Sequence, residues 1–166
     1  MTVESFNSLA NFNVNEKNFK GERLIDVENI RKVNDELMFL VDAYVSDVKK
    51  VFKARNPVCI VHFITSGTHT KDSAHPLGQA IDCHITSLSL YEQFMMASLY
   101  GFTGIGYYPY STPCFLHLDI KELDGMRRRI WYRDAFGDYI DFRKIQQVLE
   151  TIRGPFGHNV FLNNSD

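Results

Sequence analysis

From about Asp26 to Phe52, apolar residues recur at the three-and-four spacing of one helix face: Ile30, Val33, Leu37, Leu40, Val41, Tyr44, Val48 and Val51. With Arg31, Lys32, Asp35, Glu36, Asp47 and Lys49 between them, the pattern predicts one long amphipathic helix. Asp26 is the expected N-cap, Glu28 suits the first turn, and Asn56-Pro57 ends the element. Residues 1–22 precede it as an irregular, Asn-rich arm, with Phe6, Phe12 and Phe19 as anchors onto the body.

After Pro57 the pattern changes. Val58 to Thr65 is mostly apolar and β-branched, which predicts a buried strand. His62 within it is read as a core histidine with a hydrogen-bond partner. A loop follows from Ser66 to about Gln79, then a second strand over Ala80–Ile85. Leu88 to Tyr100 reads as a short helix with Leu90, Phe94, Met95 and Leu99 on one side, Ser87 or Ser89 as cap and Gly101 as stop. Thr103 to Tyr108 is glycine-rich and aromatic, as in a strand approached closely by another backbone or a ligand. Pro109–Pro113 is a turn and Phe115–Ile120 a further strand. The aromatic remainder, with Trp131, Tyr132, Phe136, Tyr139 and Phe142, is expected to pack over an edge, and Asp141–Ile152 to form a last helix.

Composition narrows the classes. The 166 residues fit a single domain, 1–166, large enough for a core without disulfides. A formal net charge of -2 excludes the basic excess of a nucleic-acid surface. The one basic cluster, Arg127-Arg128-Arg129, reads as a solvated turn or helix end. Cys59, Cys83 and Cys114 are odd in number and lack a Cys-x-x-Cys spacing, so they read as small buried hydrophobes and not as a disulfide or thiolate-zinc framework. No segment is long and apolar enough to enter a membrane, and Met1 to Asn7 lacks the marks of a secretory signal. Cytoplasmic synthesis without a signal peptide is the resulting expectation.

The chemistry concentrates between Ser66 and Ile85, which holds three histidines and two aspartates. Alternate residues of a strand share a face, so Ala80, Asp82 and His84 lie together, as do Phe115, His117 and Asp119. If the two strands are neighbours, Asp82 and His117 converge, and His75 can fold over them from the loop. Two imidazoles and one carboxylate would leave the fourth position of a tetrahedral zinc open, the arrangement of a catalytic site. Spacing alone leaves open that the histidines are ordinary loop residues and that Asp82 caps a turn.

Ser73-Ala74-His75-Pro76-Leu77-Gly78-Gln79-Ala80-Ile81-Asp82 resembles the Ser-x-His-x-x-Gly-x-Ala-x-Asp signature of the zinc D-Ala-D-Ala carboxypeptidase family, bacterial and bacteriophage peptidases of cell-wall peptide. Thr65-Ser66-Gly67, Gly104-Ile105-Gly106-Tyr107-Tyr108-Pro109, Phe115-Leu116-His117-Leu118-Asp119 and Trp131 extend the likeness. The resemblance implies an α+β fold whose antiparallel sheet carries the site, here packed against the long N-terminal helix. It implies one Zn2+ held by His75, Asp82 and His117, and a peptidoglycan peptide as substrate. A monomer is expected, and the resemblance implies action on the cell wall after release or as part of a phage particle.

Two departures bear on catalysis. Phe115 stands where many relatives have the first His of a His-x-His pair, and no acid lies among Thr112 to Leu116 to serve as general base. Asp119 is then the first candidate for proton transfer, His69 the second and His84 the third. No arginine lies between Pro57 and Asp82 to hold a substrate carboxylate, and Lys71 offers only a point charge. The reading is a zinc metallopeptidase of peptidoglycan stem peptides or cross-links. Its rivals are a zinc-stabilised binding module without activity and a virion structural protein.

Overall fold

A computed structural model of the chain describes residues 1–13, 15, 17, 21, 27–64, 73–122, 125 and 128–144. The long helix, α2 after a one-and-a-half-turn α1 at Val3–Asn7, spans Asp35–Val51. It therefore starts later than its periodicity predicted. Asn34, and not Asp26, is the N-cap, its side-chain oxygen accepting from the backbone of Glu36 and Leu37 at 2.8 and 3.2 Å. Val27–Lys32 is a 3-10 segment that keeps Ile30 and Val33 on the buried side. Phe6, Leu9 and Phe12 of the arm are buried, and Phe19 lies outside the described residues. Asn11 fixes the arm to α2: its side-chain amide donates to Asp42 and Ser46 and accepts from Lys49.

The strands are β1 (Cys59–Phe63), β2 (Ala80–Ile85), β3 (Gly104–Tyr108), β4 (Phe115–Asp119), β5 (Arg129–Arg133) and β6 (Tyr139–Asp141). They form one sheet in the order β1-β2-β4-β3-β5-β6. Neighbours are antiparallel except β3 and β5, so the sheet is mixed and not purely antiparallel. The aromatic remainder does not lie over an edge. Its alternating Arg129-Ile130-Trp131-Tyr132-Arg133 run extends the sheet itself. Asp141 closes β6 and the expected helix begins directly after it, at 142–144; residues 145–152 of that helix lie outside the described residues.

One face of the sheet carries Val61, Ile81, Cys83, Ile85, Ile105, Leu116 and Leu118, which form a core with Leu37, Met38, Val41, Tyr44, Val45 and Val48 of α2. Each fully buried aliphatic side chain of this kind contributes about 1.5–3 kcal/mol. Helix α3 (Leu90–Ala97) starts with a Ser89–Glu92 capping box. It is shorter than expected, and Leu99, expected on the buried side, is 77% exposed beyond its end. Gln93 joins α3 to β2, its amide satisfying the backbone N–H and C=O of Ile85. No disulfide joins the three cysteines. Among the described residues no helix is long and apolar enough to cross a membrane.

The other face is polar and aromatic, and strand register arranges it in rows. Ala80, Asp119, Gly104 and Arg129 form the first row. Asp82, His117, Gly106, Trp131 and Asp141 form the second. His84, Phe115, Tyr108, Arg133 and Tyr139 continue the same parity one step further.

Candidate metal centre

Asp82 and His117 sit directly opposite each other on β2 and β4. His75 reaches them from a 3-10 turn, His75–Leu77, with Pro76 favouring the turn's start. Gly78 ends the turn at φ +66°. A Cβ there would fall 1.7 Å from the Lys32 carbonyl oxygen, so the signature glycine lets the turn press against the backbone before α2. Its own carbonyl accepts from Asn34 N at 3.0 Å.

The partners of each ring fix which nitrogen faces inward. His75 Nδ1–H donates to the Ile64 carbonyl at 2.8 Å, leaving Nε2 as the lone-pair atom. His117 Nε2–H donates to Asp119 Oδ2 at 3.1 Å, leaving Nδ1. These two lone pairs are 3.1 Å apart, and Asp82 Oδ1 lies 3.2 Å from His75 Nε2 and 2.9 Å from His117 Nδ1. All three residues are buried, and one donor atom from each lies within 4.8 Å of the others. Three buried acceptors converging on one point require a cation between them, either a proton or a metal ion. Two imidazole nitrogens and a carboxylate oxygen are a donor set suited to zinc.

With a proton in that place, burial opposes charge on His117 but hydrogen bonds to Asp119 and Asp82 outweigh it and push its pKa up to about 9. Burial likewise opposes the charge on Asp82, yet the two histidines hold its carboxyl well below the usual carboxylate range. The site favours positive charge at its centre.

Asp119 is 1% exposed. It faces the Nε2 edge of His117, not the Nδ1 edge where His75 and Asp82 meet. Its oxygens also accept from Thr103 Oγ1 at 3.2 Å, Lys121 N at 3.1 Å and Arg129 Nη2 at 3.2 Å. Gly104 makes room for this carboxylate: a Cβ there would be 2.1 Å from Asp119 Oδ2. The close approach expected at the glycines of β3 is therefore made by side chains. At Gly106 it is Trp131, whose ring lies 5.3 Å from that of His117.

A family model described as peptidoglycan L,D-endopeptidase MepK matches residues 44–127, just over half of the chain. The chain belongs to this zinc D-Ala-D-Ala carboxypeptidase-like peptidase family. No curated protein sequence matches the chain. The family consists of peptidoglycan peptidases of the metallopeptidase kind, so the chain is placed among hydrolases of that class. The matched residues include His75, Asp82, His117 and Asp119.

Other sequence candidates fall as follows. His69 and Lys71 lie outside the described residues. His84 stands on the same sheet face as Asp82, two residues further along β2, with its Nδ1 2.7 Å from His62 Nε2 and the two rings stacked. His62 is 3% exposed, and burial, followed by the neighbouring His84, lowers its pKa to about 4. Phe115 packs against His62 and stacks on Tyr108 at 4.5 Å, so an aromatic floor occupies the place of the family's additional histidine.

Arg129 was missed by sequence reasoning, which assigned the triple-arginine cluster to a solvated turn. Its guanidinium holds Asp119 and lies 5.6 Å from the Trp131 ring centroid. Arg128 instead donates to the carbonyls of Ser98 and Tyr100 just after α3. The alternation Arg129-x-Trp131-x-Arg133 was the available signal, since period two puts all three on one sheet face.

Proposed function

We propose that the chain is a zinc-dependent endopeptidase of peptidoglycan peptides, with His75, Asp82 and His117 holding the metal. The convergence of these three buried acceptors carries the reading, in a chain whose family is described as an L,D-endopeptidase. Zinc bound there would polarise the scissile carbonyl and lower the pKa of its water to about 7. Ile64 and Asp119 hold the two imidazoles in the tautomers that binding needs. We assign Asp119 to this orienting task and not to the proton transfer first expected of it, because its carboxylate is turned to the outer edge of His117 and occupied by Arg129, Thr103 and Lys121. Proton transfer then falls to His69 or His84. An endopeptidase replaces the carboxypeptidase of the signature resemblance, and action on the wall follows release from the cytoplasm.

Metal analysis and digestion of purified cell walls test this reading. We expect one zinc per chain, lost in His75→Ala, and new free amines in the digest. Absence of stoichiometric zinc from both proteins contradicts it. Phe115, in the place of a family histidine, favours a second reading, a zinc-stabilised binding module. Full zinc content with wall binding but no released amines would select that alternative.

A further inference from the structure

Arg133 continues the metal face of β5 one step beyond Trp131. Its guanidinium lies over the Tyr139 ring at 5.7 Å, and its Nε donates to the Gly137 carbonyl at 3.3 Å. Arg129 is engaged with Asp119 and Arg143 with Asp141, whereas Arg133 has no carboxylate partner among the described residues. It opens onto a cavity of about 280 Å³, lined also by Tyr110, Ser111, Asp134 and Phe136. Asp134 turns Oδ1 to the backbone N–H groups of Phe136 and Asp138 at 2.9 and 2.8 Å. An arginine lying over an aromatic ring, in a cavity whose lining includes Tyr110 and Ser111, suits bidentate recognition of a carboxylate.

We propose that this cavity binds a carboxylate of the substrate peptide through Arg133, remote from the bond cleaved at the metal. The assignment rests on the peptidase reading above. His117 and Trp131 are separated by one intervening strand, about 10 Å at the usual strand spacing. Arg133 is two residues further along β5, about 7 Å, so its backbone lies about 12 Å from that of His117. The side chain leans toward Tyr139 and Gly137, on the side away from β4. An extended peptide covers at most about 3.5 Å per residue. The recognised carboxylate is therefore about three residues or more from the bond at the metal. A carboxypeptidase's terminal carboxylate, one residue from the scissile carbonyl, cannot reach Arg133 from there. The aromatic row of Phe115, Tyr108 and Tyr139 spans the interval, with Tyr108 stacked on Phe115 at 4.5 Å and edge-on to Tyr139 at 6.3 Å.

The test uses the zinc-loaded full chain and synthetic stem-type peptides. One peptide carries free carboxylates, a second is amidated at the residue next to the cleaved bond, and others are amidated three residues away on either side. Calorimetry gives Kd, and product analysis gives hydrolysis. In the wild type, one distal amidation weakens binding about 10-fold, the scale of a charge-assisted hydrogen bond. In Arg133→Ala the same amidation changes Kd less than about twofold, and Arg133→Lys falls between. Proximal amidation affects all three proteins alike. Equal sensitivity of wild type and Arg133→Ala to distal amidation overturns the proposal, as does failure of every peptide to bind. The expected Kd pattern without hydrolysis keeps Arg133 as the carboxylate residue and refutes the peptidase reading; hydrolysis without that pattern does the reverse.

Discussion

Replacing Gly104 by alanine adds one methyl group next to Asp119, remote in sequence from the three proposed ligands. The new Cβ would lie 2.1 Å from Asp119 Oδ2, 2.5 Å from Cγ and 2.7 Å from Oδ1. The carboxylate has to move by about 1 Å or more to reach ordinary contact distance. It cannot do so freely, because His117 Nε2, Arg129 Nη2, Thr103 Oγ1 and Lys121 N hold it at 3.1–3.2 Å. Overpacking of this kind costs about 1–3 kcal/mol, and loss of a ligand's orienting partner lowers metal affinity about 10- to 100-fold. Gly101→Ala is the control, since a Cβ there meets nothing within 4 Å. Competition titration against a chromophoric chelator measures zinc affinity, and denaturant unfolding of the metal-free protein measures stability. If Gly104→Ala folds and binds zinc within about threefold of the wild type, the account of Asp119 as the residue that orients His117 is wrong.

Gly78→Ala should be more damaging to the fold itself, because the methyl group would meet backbone, 1.7 Å from Lys32 O, and φ +66° disfavours any Cβ. A loss of about 3 kcal/mol or more in denaturant unfolding is expected, and an unchanged midpoint would contradict it. His62 sets a pH dependence whose sign follows from its lowered pKa. Its folded value of about 4 lies below the ordinary 6.5, so the stability from keeping it neutral is complete above pH 6.5 and declines as pH falls toward 4. The decline amounts to at most about 3 kcal/mol. It should be smaller in His62→Phe when unfolding is measured across that window, with the remainder coming from His84, whose pKa burial also lowers.

How far the sequence reached depended on the range of the interaction. Strand parity alone grouped Asp82 with Ala80 and His84, and His117 with Phe115 and Asp119, because period two is a property of the local backbone. The signature from Ser73 to Asp82 carried the family and two of the three proposed ligands for a similar reason, since its glycine and alanine answer to one turn and one face. The start of α2 was misread because Ile30 and Val33 fit the helical face equally well from a 3-10 segment. Only the competing side-chain cap of Asn34 decides the boundary.

Arg129 and Asp119 show where the sequence stops. A carboxylate two residues beyond a histidine reads equally well as a base or as an orienting partner. The choice depends on which edge of the imidazole it meets, and that is set by the β4 backbone together with Arg129 from β5. A run of three arginines reads as a solvated turn until a parallel β3–β5 pairing brings the third one against a buried aspartate. By itself, then, the sequence determined the family and most of the scaffold elements and nominated His75, Asp82 and His117 as one group, because each follows from local periodicity or a short motif. Only the tertiary structure decided what surrounds that group, because those partners come from strands that sequence order does not make neighbours.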